Sequence, residues 1–317
     1  MALYAFDGTW NKERADDPTY ENTNVSRFYH AYRKQSGTRD VYEQGIGTKL
    51  GVLGKAIGGA FGAGELDRLL DAYRTLCENW AAGDRIVDLV GFSRGAATCL
   101  DFCNLVQQWD IKDPKALGSD WRLDDYLGAP KIAKDPQIHL IGLFDVVGAF
   151  GLGVAGDIKI LNIGHHLSLP NNRVSYCFHA MALDETRVSF NVIRLKGAHE
   201  VWFRGVHSDV GGGDGRRGLN DIALRWMFRK AKGAGIKIAD EDIAALQPNP
   251  LCELKLHDVP EVWRPMSQTD LRHYTATPRP DCRPLANGCL IEDEAAEAVA
   301  QPIGSNGIEA DLSPTAA

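Results

Sequence analysis

The sequence predicts an α/β fold, a mostly parallel central sheet with helices on both faces. Three observations carry that reading. Residues 3–6, 85–90, 138–144 and 200–206 form short, largely apolar runs rich in Val, Ile, Leu and Phe, as strands covered on both faces require. Residues 65–80, between the first two runs, and 219–232, after the last, place apolar side chains at helical spacing. The stretch Val87-Asp88-Leu89-Val90-Gly91-Phe92-Ser93-Arg94-Gly95-Ala96-Ala97 then passes from strand through a tight turn into helix, the order of a nucleophile elbow with Ser93 at the turn.

Bulk properties narrow the classes. At 317 residues the chain is long enough for one large α/β domain, and no internal repeat divides it. A net charge of -7 argues against a general nucleic-acid binder, which would carry a basic face. The seven cysteines are scattered without paired metal spacing and odd in number, the pattern of buried thiols made in a reducing compartment. Residues 2–6 read as a strand and lack a basic leader region, so the expected localisation is cytoplasmic as synthesised, with signal-independent secretion left open. No run reaches transmembrane length.

In chain order, the strand at 3–6 ends in Asp7-Gly8-Thr9-Trp10-Asn11. A phosphatase opening is excluded, because Ala5 stands where its nucleophilic aspartate would be. Asn22-Thr23-Asn24 caps a helix carrying Val25, Phe28 and Tyr32, and a short strand follows at 40–44. Residues 50–64 alternate glycines with Val52, Leu53, Ile57 and Phe61, which reads either as an apolar lid loop or as backbone packed closely on the sheet. Helix 65–80 leads to the elbow, and a helix from Arg94 to about Trp109 follows it. Residues 110–136 read as a surface excursion, and 146–172 as a second candidate lid. Residues 174–183 look helical, and 189–195 suggest a short strand. Beyond 240, repeated prolines predict irregular structure wrapping the body. A single domain is expected over 1–290, with a flexible tail over 291–317.

A serine is a weak nucleophile unless a base takes its proton and an acid orients that base. Three strand ends supply such groups in the order Ser, Asp, His: Ser93 after 87–90, Asp145 after 139–144, and His207 after 201–206. His207 alone among nine histidines combines a strand-end position with glycines behind it, Gly211 to Gly213. Asp145 is preferred as the acid over Asp184 and Asp209. Asp209, two residues beyond His207, either tunes the histidine or makes a turn ahead of the glycines. The oxyanion hole is expected from the amide of Arg94 and that of Gly8 or Thr9, with Asp7 supporting that loop from behind. No metal site and no cofactor are expected.

These motifs together resemble a known family. Phe6-Asp7-Gly8-Thr9-Trp10-Asn11, Thr23-Asn24-Val25, Gly59-Ala60-Phe61-Gly62, Gly91-Phe92-Ser93-Arg94-Gly95-Ala96, Phe144-Asp145-Val146-Val147-Gly148 and Val206-His207-Ser208-Asp209-Val210-Gly211-Gly212 are similar to an α/β-hydrolase domain family. That family includes the type VI secretion phospholipase effectors. The likeness runs from residue 2 to about 235 and implies a triad of Ser93, Asp145 and His207 acting on phospholipid acyl esters. The chain is shorter than those effectors, and the large appended modules they usually carry are not expected in it.

The expected function is therefore that of an α/β-hydrolase-like serine esterase or lipase. Its substrate would be a small-molecule or lipid ester, with phospholipid foremost and contact with a membrane surface. Two alternatives remain at this stage: a catalytically silent binding scaffold on the same fold, or a triad hydrolase acting on a non-lipid ester, thioester or amide.

Overall fold

Strand β1 (Ala2–Phe6) is the pivot of the sheet in the computed structural model, which describes residues 1–9, 11, 22–36, 39–45, 60–116, 126, 128–148, 167–170, 173–254, 262–280 and 282–304. β1 pairs in parallel with β2 (Val41–Glu43) on one side and with β3 (Val87–Phe92) on the other. A small antiparallel pair, β4 (Ile111–Lys112) and β5 (Lys131–Ala133), stands apart. Outward from β3 run β6 (Ile138–Phe144), β7 (Val174–Ala182), β8 (His199–Phe203), β9 (Leu271–His273) and β10 (Leu290–Glu292). The eight strands lie in the order β10-β9-β8-β7-β6-β3-β1-β2, and every pairing is parallel.

Successive β1 side chains enter opposite cores, because side chains alternate across a strand. Ala2, Tyr4 and Phe6 join α2 (Ala60–Ala81) and α3 (Arg94–Trp109) on one face. Leu3 and Ala5 join α1 (Asn24–Ser36) and, later in the chain, Leu219–Gly233 on the other. With both faces dry, both sets of positions are largely apolar, which is why the strands read as near-continuous apolar runs. The chain leaves β1 through α1 to β2, then returns through α2 on the opposite face to β3. The direction of winding therefore reverses between β1 and β3, the position at which open α/β sheets bind their ligands.

Further helices among the described residues are α4 (His207–Gly211), α5 (Leu219–Gly233), α6 (Asp240–Ala244) and α7 (Glu294–Glu297). Helix α2 starts at Ala60, so residues 60–64 of the first glycine-rich segment are helical. Once a helix body exists, each added residue brings one hydrogen bond, which offsets the ~1 kcal/mol cost of a glycine. The rest of that segment, and residues 149–166 and 171–172 of the second candidate lid, lie outside the described residues.

Three expectations change. Residues 174–182 form β7, not a helix. They sit between β6 and β8, where Phe178, Ala180 and Ala182 enter one core and Cys177 the other, and pairing on both sides overrides the helix-forming Ala-Met-Ala end. Residues 189–195 hold a turn of 3-10 helix, Val188–Phe190, and one bridge, Val192 to Val147, in place of a strand. The region beyond 240 adds β9 and β10 to the sheet, so the flexible tail expected from 291 is instead structured through α7.

Two carboxylates anchor that end. Glu292 receives the Trp226 indole N–H at 2.8 Å, the Lys230 ammonium at 2.7 Å and His199 at 2.5 Å. Glu297 receives Arg229 at 2.6 Å and His273 at 2.5 Å. Burial would raise the Glu292 pKa, but His199 and Lys230 pull it down to about 2.

Candidate active site

Ser93 joins β3 to α3 with φ 59° and ψ -126°, a backbone region that side chains rarely occupy. The two glycines flanking it have the steric role their spacing implies. A Cβ on Gly91 would meet Cys99 Sγ at 2.6 Å, and one on Gly95 would meet the Phe6 carbonyl oxygen at 2.2 Å. The Ser93 amide donates to Phe144 O at 3.0 Å, and its carbonyl accepts from Ala96 and Ala97 in the first turn of α3. The strained turn is thereby fixed at both ends.

Asp145 follows β6 directly, also in the left-handed region at φ 46°, and its amide donates to Ala180 O on β7 at 2.8 Å. Its Oδ1 accepts from the Ala182 amide at 2.8 Å. Its Oδ2 lies 2.6 Å from Nδ1 of His207. β8 ends at Phe203, and His207 opens the short helix α4 rather than a glycine loop. The His207 ring lies between Phe92, centroids 4.6 Å apart, and Phe190 at 4.8 Å edge-on. Phe92 is the residue before Ser93, so the imidazole rests against the elbow itself. The His207 amide donates to Glu185 Oε2 at 3.1 Å, and Arg187 grips that glutamate through Nε and Nη2, both at 2.8 Å.

The electrostatics fit this arrangement. Burial acts to raise the Asp145 pKa, but Arg264 and His207 hold the carboxyl well below the usual range. Burial lowers the His207 pKa, against the opposing pull of Asp145. With an ionised carboxylate at Nδ1, the neutral ring carries its proton there and leaves Nε2 as the basic nitrogen.

The other acids have different work. Asp209 Oδ2 accepts the Val206 amide at 2.9 Å, capping α4, while its Oδ1 receives Arg216 at 3.0 Å. Its pKa is pushed up to about 6 by burial. Ser208, Asp209, Asp214, Arg216, Leu219 and Leu254 face a cavity of about 680 Å³ beside α4, in whose wall Arg216 also pairs with Asp214 at 2.5 Å. Asp184 is tied to Arg204 at 2.7 Å. His139, His179, His199 and His273 each meet a carboxylate other than Asp145, namely Asp88, Glu200, Glu292 and Glu297. His165, His166 and His257 lie outside the described residues.

At the end of β1, Asp7 is buried and accepts from Thr23 Oγ1 at 2.7 Å, from Tyr42 at 2.5 Å and from the Gly8 amide at 2.7 Å. Burial pushes its pKa up to about 6. The Gly8 amide, expected as an oxyanion donor, is thus already engaged by Asp7, whereas Thr9 of the same loop has a buried hydroxyl without a partner. Asn24 fastens this corner by donating to Val210 O at 2.8 Å and Asn220 O at 3.0 Å, joining α1 to α4 and α5. Among the described residues, no group of three His, Cys, Asp or Glu stands together as a metal site.

One residue at the site was not foreseen. Arg264, from the proline-flanked segment after 261, is buried and bonds both oxygens of Asp145, Nη1 to Oδ1 at 2.7 Å and Nη2 to Oδ2 at 2.9 Å. A lone arginine beside a proline carries no periodic or motif signal, so only the three-dimensional fold reveals it.

A family model described as "T6SS, Phospholipase effector Tle1-like, catalytic domain" matches residues 3–118 and 122–230, a span that contains Ser93, Asp145 and His207. Two solved structures are similar. An uncharacterized protein from Pseudomonas aeruginosa shares 21% identity at TM-score 0.49, over 78% of this chain and 47% of that one. A Tle1 effector, solved bound to the VgrG spike from the Type 6 secretion system, shares 22% identity at TM-score 0.43, over 67% of this chain and 50% of that one. The chain spans about half the length of each. No curated protein matches it. With well over half of its residues matched by the family model, the chain belongs to the Tle1-like phospholipase effector family through that family's catalytic domain.

Proposed function

We propose that this chain hydrolyses carboxylic esters of lipids, phospholipid acyl esters foremost, by a serine mechanism. The observation that carries the reading is the 2.6 Å contact between Asp145 and His207, on a ring that packs against the residue before the strained Ser93. In the first step Ser93 Oγ attacks the ester carbonyl carbon while His207 Nε2 takes the serine proton. The resulting oxyanion receives the amides of Arg94, at the positive end of α3, and of Thr9. The ester C–O bond then breaks, and His207 returns the proton to the departing alkoxide, leaving an acyl-serine. Water, deprotonated by the same nitrogen, cleaves that intermediate to free acid and serine. Asp145 keeps the proton on Nδ1 and stabilises the transient imidazolium throughout. The family description also supports export by the type VI route and contact with a membrane surface as parts of this proposal.

The test uses vesicles of phosphatidylethanolamine and phosphatidylglycerol incubated with the full chain, with lipids read by mass spectrometry. Free fatty acid and lysophospholipid are expected with the wild type and not with Ser93→Ala. Equal release by Ser93→Ala would exclude the serine mechanism. Turnover of soluble esters without any lipid product would leave the chemistry and exclude the substrate.

A further inference from the structure

Two carboxylates bond His207, a third lies two residues further along its helix, and each of the three pairs with an arginine. Asp145 at the end of β6 is held by Arg264, Glu185 after β7 by Arg187, and Asp209 on the histidine's own helix by Arg216. The pairing with Arg264 differs from the other two. It is wholly buried, it grips both oxygens of the carboxylate that touches the imidazole, and it comes from beyond residue 230, where the match to the family ends.

We propose that Arg264 is a positioning residue for ester hydrolysis, fixing Asp145 against His207, and that the segment carrying it is part of the catalytic apparatus. The proposal rests on the triad reading above. Arg264 ties together more than the acid. Nη1 also donates to Ala182 O at 2.7 Å, and Nη2 to Phe190 O. Phe190 is the ring that stands edge-on to His207. A single guanidinium thus sets the carboxylate plane, the end of β7 and the aromatic wall of the imidazole. A planar fork can do this, and a single point charge cannot.

Stability alone is a poor account of the pair. A buried ion pair roughly breaks even against apolar packing, and Asp145 already has the Ala182 amide and His207 as partners. The charge has a direct consequence for the base. Without compensating cations, Asp145 and Glu185 would favour a protonated imidazole, which cannot take the serine proton. Arg264 opposes that protonation, as does burial between Phe92 and Phe190.

The experiment measures kcat/KM and kcat against pH for a soluble p-nitrophenyl ester, with the full chain as wild type, Arg264→Met and Arg264→Lys. Far-UV circular dichroism checks folding, and Ser93→Ala is run in parallel. Arg264→Met is expected to lose about 10²-fold in kcat, the scale of a slightly misplaced catalytic group, and to move the acid limb of kcat/KM to higher pH. Arg264→Lys keeps the charge and loses the fork, so its limb stays near the wild-type position while kcat remains reduced. An unmoved limb in Arg264→Met, whatever its kcat, would make the arginine merely structural and overturn the proposal. If Arg264→Met does not fold, wild-type kcat in Arg264→Lys overturns it equally. Activity persisting in Ser93→Ala refutes the triad itself, an outcome separate from either arginine result.

Discussion

The carbonyl oxygen of Phe6 stands 2.2 Å from the point that a Cβ on Gly95 would occupy. The end of β1 and the start of α3 are therefore in direct backbone contact, and that contact brings the Gly8-Thr9 loop to the elbow. Neither partner is a flexible side chain, so neither can swing aside. Gly95→Ala is expected to destabilise the fold by about 3 kcal/mol, the upper range for overpacking, and to displace the loop from Ser93. Urea unfolding and ester turnover check both effects. A Gly95→Ala protein with wild-type stability would mean that the β1 loop can move away freely.

Strain at Ser93 makes a second, opposite prediction. Its φ of 59° with ψ of -126° suits glycine and costs any other residue roughly 1–3 kcal/mol. Ser93→Gly relieves that strain but adds about 0.5–1 kcal/mol of chain entropy on folding. A net gain of about 1 kcal/mol is expected, together with complete loss of esterase activity. Calorimetry of Ser93→Gly beside Ser93→Ala separates relief of strain from mere removal of the hydroxyl, because only glycine gains.

The acid limb of the wild-type pH profile follows from His207. Its pKa is lowered from 6.5 because burial disfavours the imidazolium. The base works only when neutral, so activity is present above that value and lost as pH falls through it. The midpoint of kcat/KM is expected below 6.5. A midpoint at or above it would mean that the histidine is solvated or under stronger acidic influence during catalysis.

Asp145 and Asp209 are separable by exchange for asparagine. Asp145→Asn is expected to lower kcat by about 10⁴-fold, since the amide favours the wrong histidine tautomer. Asp209→Asn alters a helix cap and an ion pair with Arg216, and kcat is expected to stay within about tenfold, because a lost cap costs only about 1 kcal/mol of stability. The reverse ranking would transfer the role of acid to Asp209.

Glu292 predicts how the far end of the sheet fails in acid. Its folded pKa, about 2, is depressed from 4.5, so its contribution to stability is whole above 4.5 and is lost as pH falls towards 2. Glu185, also held at about 2, adds to the same window. Glu292→Gln leaves the Lys230 ammonium buried without its carboxylate and is expected to cost about 3 kcal/mol. Limited proteolysis near residue 290 should accelerate in that variant, and its stability should fall less steeply with acid than that of the wild type.

Much of the fold and of the site could be read from residues alone, for a physical reason. Strands buried on both faces are largely apolar, and an elbow needs small residues at fixed distances from its serine, so β1, β3, β6 and Ser93 announce themselves locally, the exceptions Asp88 and His139 being paired with each other. Asp145 and His207 follow because strand ends are where side chains escape the sheet. β7 was hidden by its Ala-Met-Ala ending, which favours helix until strands pair on both sides. β9 and β10 are three residues each, too short to show a period. That the Gly8 amide already meets Asp7 could not be read locally, because the turn that joins them is set by the packed loop. Arg264 was illegible because the contact that defines it spans 119 positions of sequence.

That span bears on the order in which the ribosome builds the protein. Ser93, Asp145 and His207 all leave the exit tunnel before Arg264 is translated. A nascent chain halted after the histidine carries Ser93, Asp145 and His207, with the aspartate ungripped and the sheet lacking β9 and β10. On the function proposed above, the grip on the aspartate is then a late step in forming the site, because it waits for residue 264.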